Sequence, residues 1–337
     1  MNRYLDLLNS QRIPKKGNGL NFISLFSGGG GLDLGFSLAG FKGLYSTDII
    51  KHFCDTIRHN FPNHIVEEHD MYELSGNYVK DKIKVDVDMI IGGPPCQSFS
   101  ILGNRKSTED SRGRLVFEYA RFIKEVSPKG FLFENVPGIL TVNKGKDWED
   151  LLKFFKKETG YHLEWKKLNA VNYGAPQFRE RVILFGFKEK PFNNWPELMF
   201  GLNGEAPKRV FNSGLALENV ENLPNHIKRI HSDRVSTRYS KIKQGERCRV
   251  DHTDRIDESK PSGTVLVGSS GGGGRPFIHP IEHRHLTVRE VARLQSFPDW
   301  YEFEGTGTSQ YRQVGNAVAP LFAKRLGIAV AEHLKGK

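Results

Sequence analysis

The sequence predicts an α/β protein: a doubly wound, mostly parallel sheet with a smaller lobe of short strands and loops inserted late in the chain. Three observations predict it. From Asn21 to about Phe187, short apolar runs alternate with segments of helical periodicity, the spacing expected of βαβ units. The first apolar run ends in a glycine-rich turn, Phe26-Ser27-Gly28-Gly29-Gly30-Gly31, which opens a helix and so brings backbone amides toward a ligand. Near Lys188 the rhythm fails, and residues 188–287 are rich in Pro, Asn, Gly and charge, without repeats.

The elements follow in order. Residues 1–20 are polar and basic and read as a leading extension. Candidate strands are Phe22–Phe26, Gly43–Thr47, His64–Glu67, Val87–Ile91 and Gly130–Glu134; the most apolar of them suit strands buried on both faces. Leu32–Ala39, Lys51–Asn60, Leu115–Val126 and Trp148–Thr159 repeat apolar residues at helical spacing. Leu163–Leu168 and Arg181–Phe187 flank an Asn-Tyr-Gly-Ala-Pro turn and read as a hairpin. Helical patterning returns at Thr287–Ser296 and again from Asn316 to the C-terminus, the last helix packing back on the first domain. The expected organisation is therefore a main domain of residues 21–190 and 310–337, an inserted lobe at 191–287 and a hinge region at 288–309.

A chain of 337 residues can bury one large core and support a second, smaller lobe. No apolar run approaches the ~20 residues that span a membrane, and the N-terminus lacks a signal-type apolar core. Cys54, Cys96 and Cys248 form no C-x-x-C pair. Zinc sites and a disulfide framework are thus not expected, and a reducing cytoplasm is the natural compartment. The net charge of +10 favours a polyanionic partner. Between His226 and Arg249 eight Lys and Arg residues face two acidic ones. That density suits phosphate contacts, although a solvated charged face has the same composition.

Chemistry concentrates at strand ends. Cys96 follows Gly92-Gly93-Pro94-Pro95 directly after the apolar run ending at Ile91, the edge where open α/β sheets keep their ligands. Taken locally, this cysteine is either a nucleophile or a small buried hydrophobe. Glu134 ends the run Gly130–Phe133; if buried there, it is protonated or hydrogen-bonded, and otherwise it is a surface residue. Arg179 and Arg181 share one face of the last strand by the two-residue period. At the other end, Asp48 closes the second strand, where a carboxylate accepts hydrogen bonds from ribose hydroxyls. Asp70 follows the third, positioned for an exocyclic amine. A dinucleotide fingerprint would require glycine where Asp33 stands, so the pattern points to an adenosine cofactor other than NAD.

These motifs resemble, in order, those of the cytosine-C5 DNA methyltransferase family. The resemblance runs from about Phe22 to Ala329. It includes the Phe-Ser-Gly-Gly-Gly-Gly turn, Gly-Pro-Pro-Cys-Gln-Ser-Phe-Ser, Glu-Asp-Ser-Arg-Gly-Arg-Leu (109–115), Glu-Asn-Val-Pro-Gly and Gln-x-Arg-x-Arg. Beyond the variable lobe come Arg284-His285-Leu286-Thr287-Val288-Arg289-Glu290 and Gln313-Val314-Gly315-Asn316-Ala317-Val318-Ala319-Pro320. The resemblance implies a Rossmann-like methyltransferase core and methyl transfer from S-adenosylmethionine, leaving S-adenosylhomocysteine, to C5 of a flipped-out cytosine in a specific duplex DNA sequence. It implies that Cys96 adds to C6, that protonated Glu134 donates to N3, that Arg181 holds the O2 side of the base and that Arg179 supports the site, with no metal. Cofactor positions carried over are Phe26, Gly28, Gly30, Asp48, Asp70, Leu115, Asn316 and Val318. Gln97, Ser98, Ser100 and Arg112, on the polar segment after Cys96, are expected to close over DNA. In the lobe, the target-recognition domain of the family, Arg238, Lys241, Lys243 and Arg275 are expected to contact it. The compact chain looks like a monomeric prokaryotic or phage modification enzyme, with a restriction endonuclease as a possible functional partner. An RNA-acting branch of the same fold carries a Cys-Phe-Thr-x-x-Tyr segment that is missing here, and a non-catalytic relative would normally have lost Cys96 or Glu134.

Overall fold

Along the central strands, alternate residues feed two separate cores. Ile23, Leu25, Ile90, Phe131, Phe133, Val182 and Leu184 pack into one, while Phe22, Met89, Ile91, Leu132, Ile183 and Phe185 pack into the other. A sheet buried on both faces needs apolar residues at every position, which is why these runs read as continuous in the sequence. The structure, a computed structural model, describes residues 2–95, 114–199, 210–266 and 277–336.

Seven strands form one sheet in the order β3-β2-β1-β4-β5-β7-β6. They are β1 (Asn21–Leu25), β2 (Lys42–Asp48), β3 (Ile65–Glu68), β4 (Met89–Gly92), β5 (Gly130–Asn135), β6 (His162–Asn169) and β7 (Glu180–Phe187). β1 to β5 are mutually parallel, whereas β7 runs antiparallel to both β5 and β6. The expected hairpin is therefore present, and the fold is the doubly wound α/β class read from the sequence. The order reverses between β1 and β4, and the carboxyl ends of strands beside such a switch point open into a crevice.

Among the described residues, six α-helices precede the sheet's last strand pair: α1 (Arg3–Asn9), α2 (Gly31–Leu38), α3 (Lys51–Asn60), α4 (Gly76–Ile83), α5 (Leu115–Val126) and α6 (Lys146–Thr159), the last leading into the pair. α4 escaped the sequence reading because it buries only Gly76 and Val79, too little for a visible period. The leading extension is not loose. Asn2 caps α1, the Tyr4 hydroxyl donates to the Arg293 carbonyl, and Asn9 exchanges hydrogen bonds with Asp299 at 2.7 and 3.1 Å.

In the lobe, α7 (Ser213–Leu217) and α8 (Asp233–Ser240) are short, and strand pairing among the described residues is confined to isolated bridges such as Arg247–Asp254 and Ile278–His285. Short strands were expected here, but apolar alternation never persists long enough for a ladder. Buried Arg255 does part of that work instead, donating to the carbonyls of Tyr239 and Pro280 at 2.7 and 2.9 Å. α9 (Val288–Leu294) starts in a capping box between Thr287 and Glu290. The expected terminal helix starts at Pro320 instead of Asn316, as α11 (Pro320–Leu334), and is preceded by α10 (Gly307–Asn316), which the sequence reading did not include. Pro320 lacks the amide needed to continue a helix but suits a first turn. α11 packs back on α2 so closely that a Cβ on Gly35 would lie 2.2 Å from that of Ala323. No single described helix is long and apolar enough to cross a membrane.

Candidate active site

The turn after β1 is shaped by its backbone. Phe26 and Gly28 have φ of 55° and 54°, and Gly30, which caps α2, has φ of 73°. The amide of Gly28 donates to Asp48 Oδ2 at 3.0 Å and that of Ile50 to Oδ1 at 3.1 Å, so the end of β2 and the turn hold each other. Burial raises the Asp48 carboxyl above its ordinary value, against the backbone amides of Gly28, Ile50 and Ile49 and the Arg312 guanidinium. Asp70 accepts the Tyr72 amide at 3.0 Å.

A cavity of about 510 Å³ runs from this turn across the sheet edge, a size ordinary for small-ligand sites. Of the cofactor residues expected from the sequence, Phe26, Gly28, Asp48, Asp70, Leu115, Asn316 and Val318 line it. Gly30 stands behind the turn, where a Cβ would meet the Tyr301 hydroxyl at 2.2 Å. Sequence reasoning missed Ile49, Phe53, Met71 and Arg312 on the same walls. Ile49, 59 % exposed immediately after a strand-end carboxylate, was the available signal.

Gly31 meets the link between α10 and α11 almost backbone to backbone, and a Cβ there would lie 2.1 Å from the Val318 carbonyl oxygen. Gly31→Ala is expected to cost roughly 1–3 kcal/mol of stability, the usual cost of overpacking. The loss should appear as a lower urea midpoint at constant slope. An unchanged midpoint would show that the link between α10 and α11 gives way freely.

The far wall of the same cavity carries Glu134, at the end of β5, and Arg181, on β7. Arg181 Nε lies 2.7 Å from Glu134 Oε1, with side chains only 8 % and 12 % exposed. The N–H direction does not satisfy hydrogen-bond geometry, so the contact is an ion pair with its donor still to be directed. Burial raises the Glu134 pKa, opposed by the charges of Arg181 and Arg179; burial prevails, and the neutral acid is accessible above the ordinary carboxylate range. Gly93 is required here, since a Cβ would stand 2.6 Å from Glu134 Oε2. Asn135 Nδ2 donates to the Pro94 carbonyl at 3.1 Å, fixing the segment that leads to Cys96. Cys96, Gln97, Ser98, Ser100 and Arg112 lie outside the described residues, as does Arg275.

Arg179 is buried and turned elsewhere. Its two Nη groups donate to the carbonyls of Val265 and Gly315 at 3.1 and 2.6 Å, tying the lobe to α10. Burial and neighbouring Arg181 both work against its charge, while Glu134 supports it. Gln177 and Gln295 extend the joint: Gln177 Nε2 donates to Gln295 Oε1 at 3.0 Å, and Gln295 Nε2 donates to the Val314 carbonyl at 2.8 Å. In the lobe, Arg238 pairs with Asp251 at 2.9 Å. Lys241 and Lys243 are exposed, and neither ammonium joins an ion pair among the described residues. Cys54 is buried beside the carbonyls of Asp48 and Glu67, and burial pushes its thiol up to about 11, which makes it inert. Among the described residues no cluster of three His, Cys, Asp or Glu side chains is arranged to hold a metal ion.

Residues 20–332 match the family model for C-5 cytosine-specific DNA methylases. The Type II methyltransferase M1.HphI of Haemophilus parahaemolyticus is 39% identical over 333 residues, spanning 92% of this chain and 86% of that protein. The Type II methyltransferase M.NgoFVII of Neisseria gonorrhoeae is 35% identical over 326 residues, spanning 91% and 85%. Among solved structures, an E. coli prophage-encoded protein described as a candidate DNA modification methyltransferase superposes with a TM-score of 0.73 at 28% identity, covering 94% of this chain and 99% of that one.

Proposed function

The chain belongs to the C-5 cytosine-specific DNA methylase family, and from that premise we propose that it methylates a flipped-out cytosine at C5 within a specific duplex DNA sequence, with S-adenosylmethionine as cofactor. The observation that carries this reading is the shared cavity, with the glycine-rich turn at one end and the Glu134–Arg181 pair at the other. The cavity's volume and its close-fitting glycines suit S-adenosylmethionine, held by the turn, Asp48, Asp70, Phe53 and Val318. When bound, that cofactor supplies a methyl group on a sulfonium centre.

The chain's own residues do the rest. Cys96, as thiolate, adds to C6 of the cytosine, a ring whose C5 is otherwise a poor nucleophile. Charge then develops at N3, and Glu134 in its neutral form donates a proton there. Arg181, held against Glu134, is placed to reach the O2 side of the same ring edge. Once C5 carries the methyl group, loss of the C5 proton, departure of Cys96 as thiolate and return of the N3 proton to Glu134 would restore the aromatic ring. Because C6 and C5 are inaccessible in stacked DNA, the base must leave the helix first.

We assign target recognition to residues 191–287 and methyl transfer to the rest of the fold. The enzyme acts as a cytosolic monomer, with a restriction endonuclease of the same specificity as functional partner. Methylation sequencing of DNA from cells expressing the protein tests the whole reading: 5-methylcytosine should accumulate at one short sequence. DNA without new 5-methylcytosine would sink it. Within the lobe, Lys241→Ala and Lys243→Ala should weaken binding to every duplex. Each should flatten the salt slope by about one unit, since each removes roughly one phosphate contact. A variant that altered target choice at constant salt slope would place its lysine on a base edge instead.

A further inference from the structure

Asp33 takes no part in the chemistry above, yet its carboxyl group is completely buried in the first turn of α2, beneath the glycine-rich turn. Its Oδ2 accepts from Ser24 Oγ and its Oδ1 from Ser46 Oγ, both at 2.8 Å. Ser24 and Ser46 are register partners on β1 and β2. Ser24 Oγ in turn accepts from Ser27 Oγ at 2.9 Å, and Ser27 lines the cavity.

A carboxylate can only accept, so each serine facing it must direct its one hydroxyl proton toward it. Ser24 therefore has only lone pairs left for Ser27, and Ser27 must donate downward as well. Its second acceptor, the Ser24 carbonyl at 3.3 Å, demands the same direction. What Ser27 turns toward the cavity is consequently a lone pair, which suits a ligand's donor. Asp48 and Asp70 stand at the successive strand ends beyond the turn, where they suit the ribose and adenine of an adenosine ligand, leaving the amino-acid end for the turn itself.

We infer that Asp33 is a positioning residue for the cofactor: through Ser24 it fixes Ser27 Oγ as a hydrogen-bond acceptor for the α-ammonium group of S-adenosylmethionine. This rests on the cofactor assignment proposed above. Burial raises the Asp33 pKa to about 6, the two serine hydroxyls oppose that, and the charge of Asp48 adds to it. Other charged or titratable groups around the relay leave it intact. Tyr301, its own pKa raised far up by burial, donates to the Gly29 carbonyl at 3.0 Å. His64, 3.5 Å from Ser46 Oγ, is lowered to about 4 by burial and is neutral. Lys324 on α11 is engaged by Gln11 Oε1 at 2.8 Å, and Arg312 acts on Asp48. Asp33 is thus ionised at neutral pH, and the acceptor role of Ser27 is lost as pH falls through about 6.

Calorimetric titration of the full chain with two probes tests this: S-adenosylhomocysteine, and 5′-methylthioadenosine, which lacks the amino-acid end. Asp33→Asn and Ser27→Ala should each weaken S-adenosylhomocysteine about tenfold, the worth of one charge-assisted hydrogen bond. Both should leave 5′-methylthioadenosine binding unchanged. The parent should also lose affinity for S-adenosylhomocysteine between roughly pH 7.5 and pH 5.5 more steeply than Asp33→Asn does. Equal weakening of both probes would show that Asp33 merely supports the turn, and no weakening of either would remove the relay from binding; both results overturn the inference. If Asp33→Asn fails to fold, Ser27→Ala, which leaves the buried carboxylate in place, decides. A parent protein that binds neither probe would fail the cofactor assignment itself.

Discussion

Cys96→Ser should abolish methyl transfer, with a fall on the order of 10⁴-fold or more, as expected when a covalent nucleophile is removed. A serine hydroxyl is almost wholly protonated near neutral pH, whereas the proposed addition to C6 needs a thiolate. In the proposed mechanism Cys96 acts on the base and not on the cofactor, so S-adenosylhomocysteine binding should be retained within error. Duplex DNA carrying 5-fluorocytosine at the target should trap the parent enzyme, because fluorine cannot leave as the C5 proton does. The trapped peptide should contain Cys96. The buried thiol of Cys54, pushed up to about 11, should stay unmodified, as should Cys248, which is also buried. An adduct on either of those residues would overturn the assignment.

Glu134→Gln should slow the chemical step by on the order of 10²–10³-fold, the usual effect of removing a group aimed at developing charge. Binding should change far less, since an amide still donates a hydrogen bond to the ring but does not release a proton. The pH profile carries a second signature. Burial raises the Glu134 pKa over the opposing charges of Arg181 and Arg179. The useful neutral acid is present below that raised pKa and is lost as pH rises through it. The parent should therefore show an alkaline decline in single-turnover rate that Glu134→Gln lacks. A variant with the parent's rate and profile would take Glu134 out of the mechanism.

The contrast between these two residues shows what local sequence can carry. Both follow apolar runs, and such runs are legible because a parallel sheet buried on two faces leaves no room for polar positions. Hence β1, β4 and β5, and the motifs at their ends, could be read from one chain. α4 and α10 were not legible: the first buries only Gly76 and Val79, and the second buries Gln313 and Gly315 alongside Val314. The docking of α1 was equally hidden. It rests on side chains meeting partners almost three hundred positions away, such as Asn9 with Asp299.

By itself the sequence determined the class of fold and the order of the motifs, and it nominated the candidate reacting groups, because those depend on residue type and on periods of two and 3.6. Only the tertiary structure decided how they meet. It put Glu134 2.7 Å from Arg181 and turned Arg179, one strand period away, toward the carbonyls of Val265 and Gly315 instead. It also seated a carboxylate between two serines on neighbouring strands beneath the glycine-rich turn. Contacts of this kind join residues remote in the chain, and their geometry is set by the packing of β7 between β5 and β6 and of α11 on α2, which no local pattern encodes.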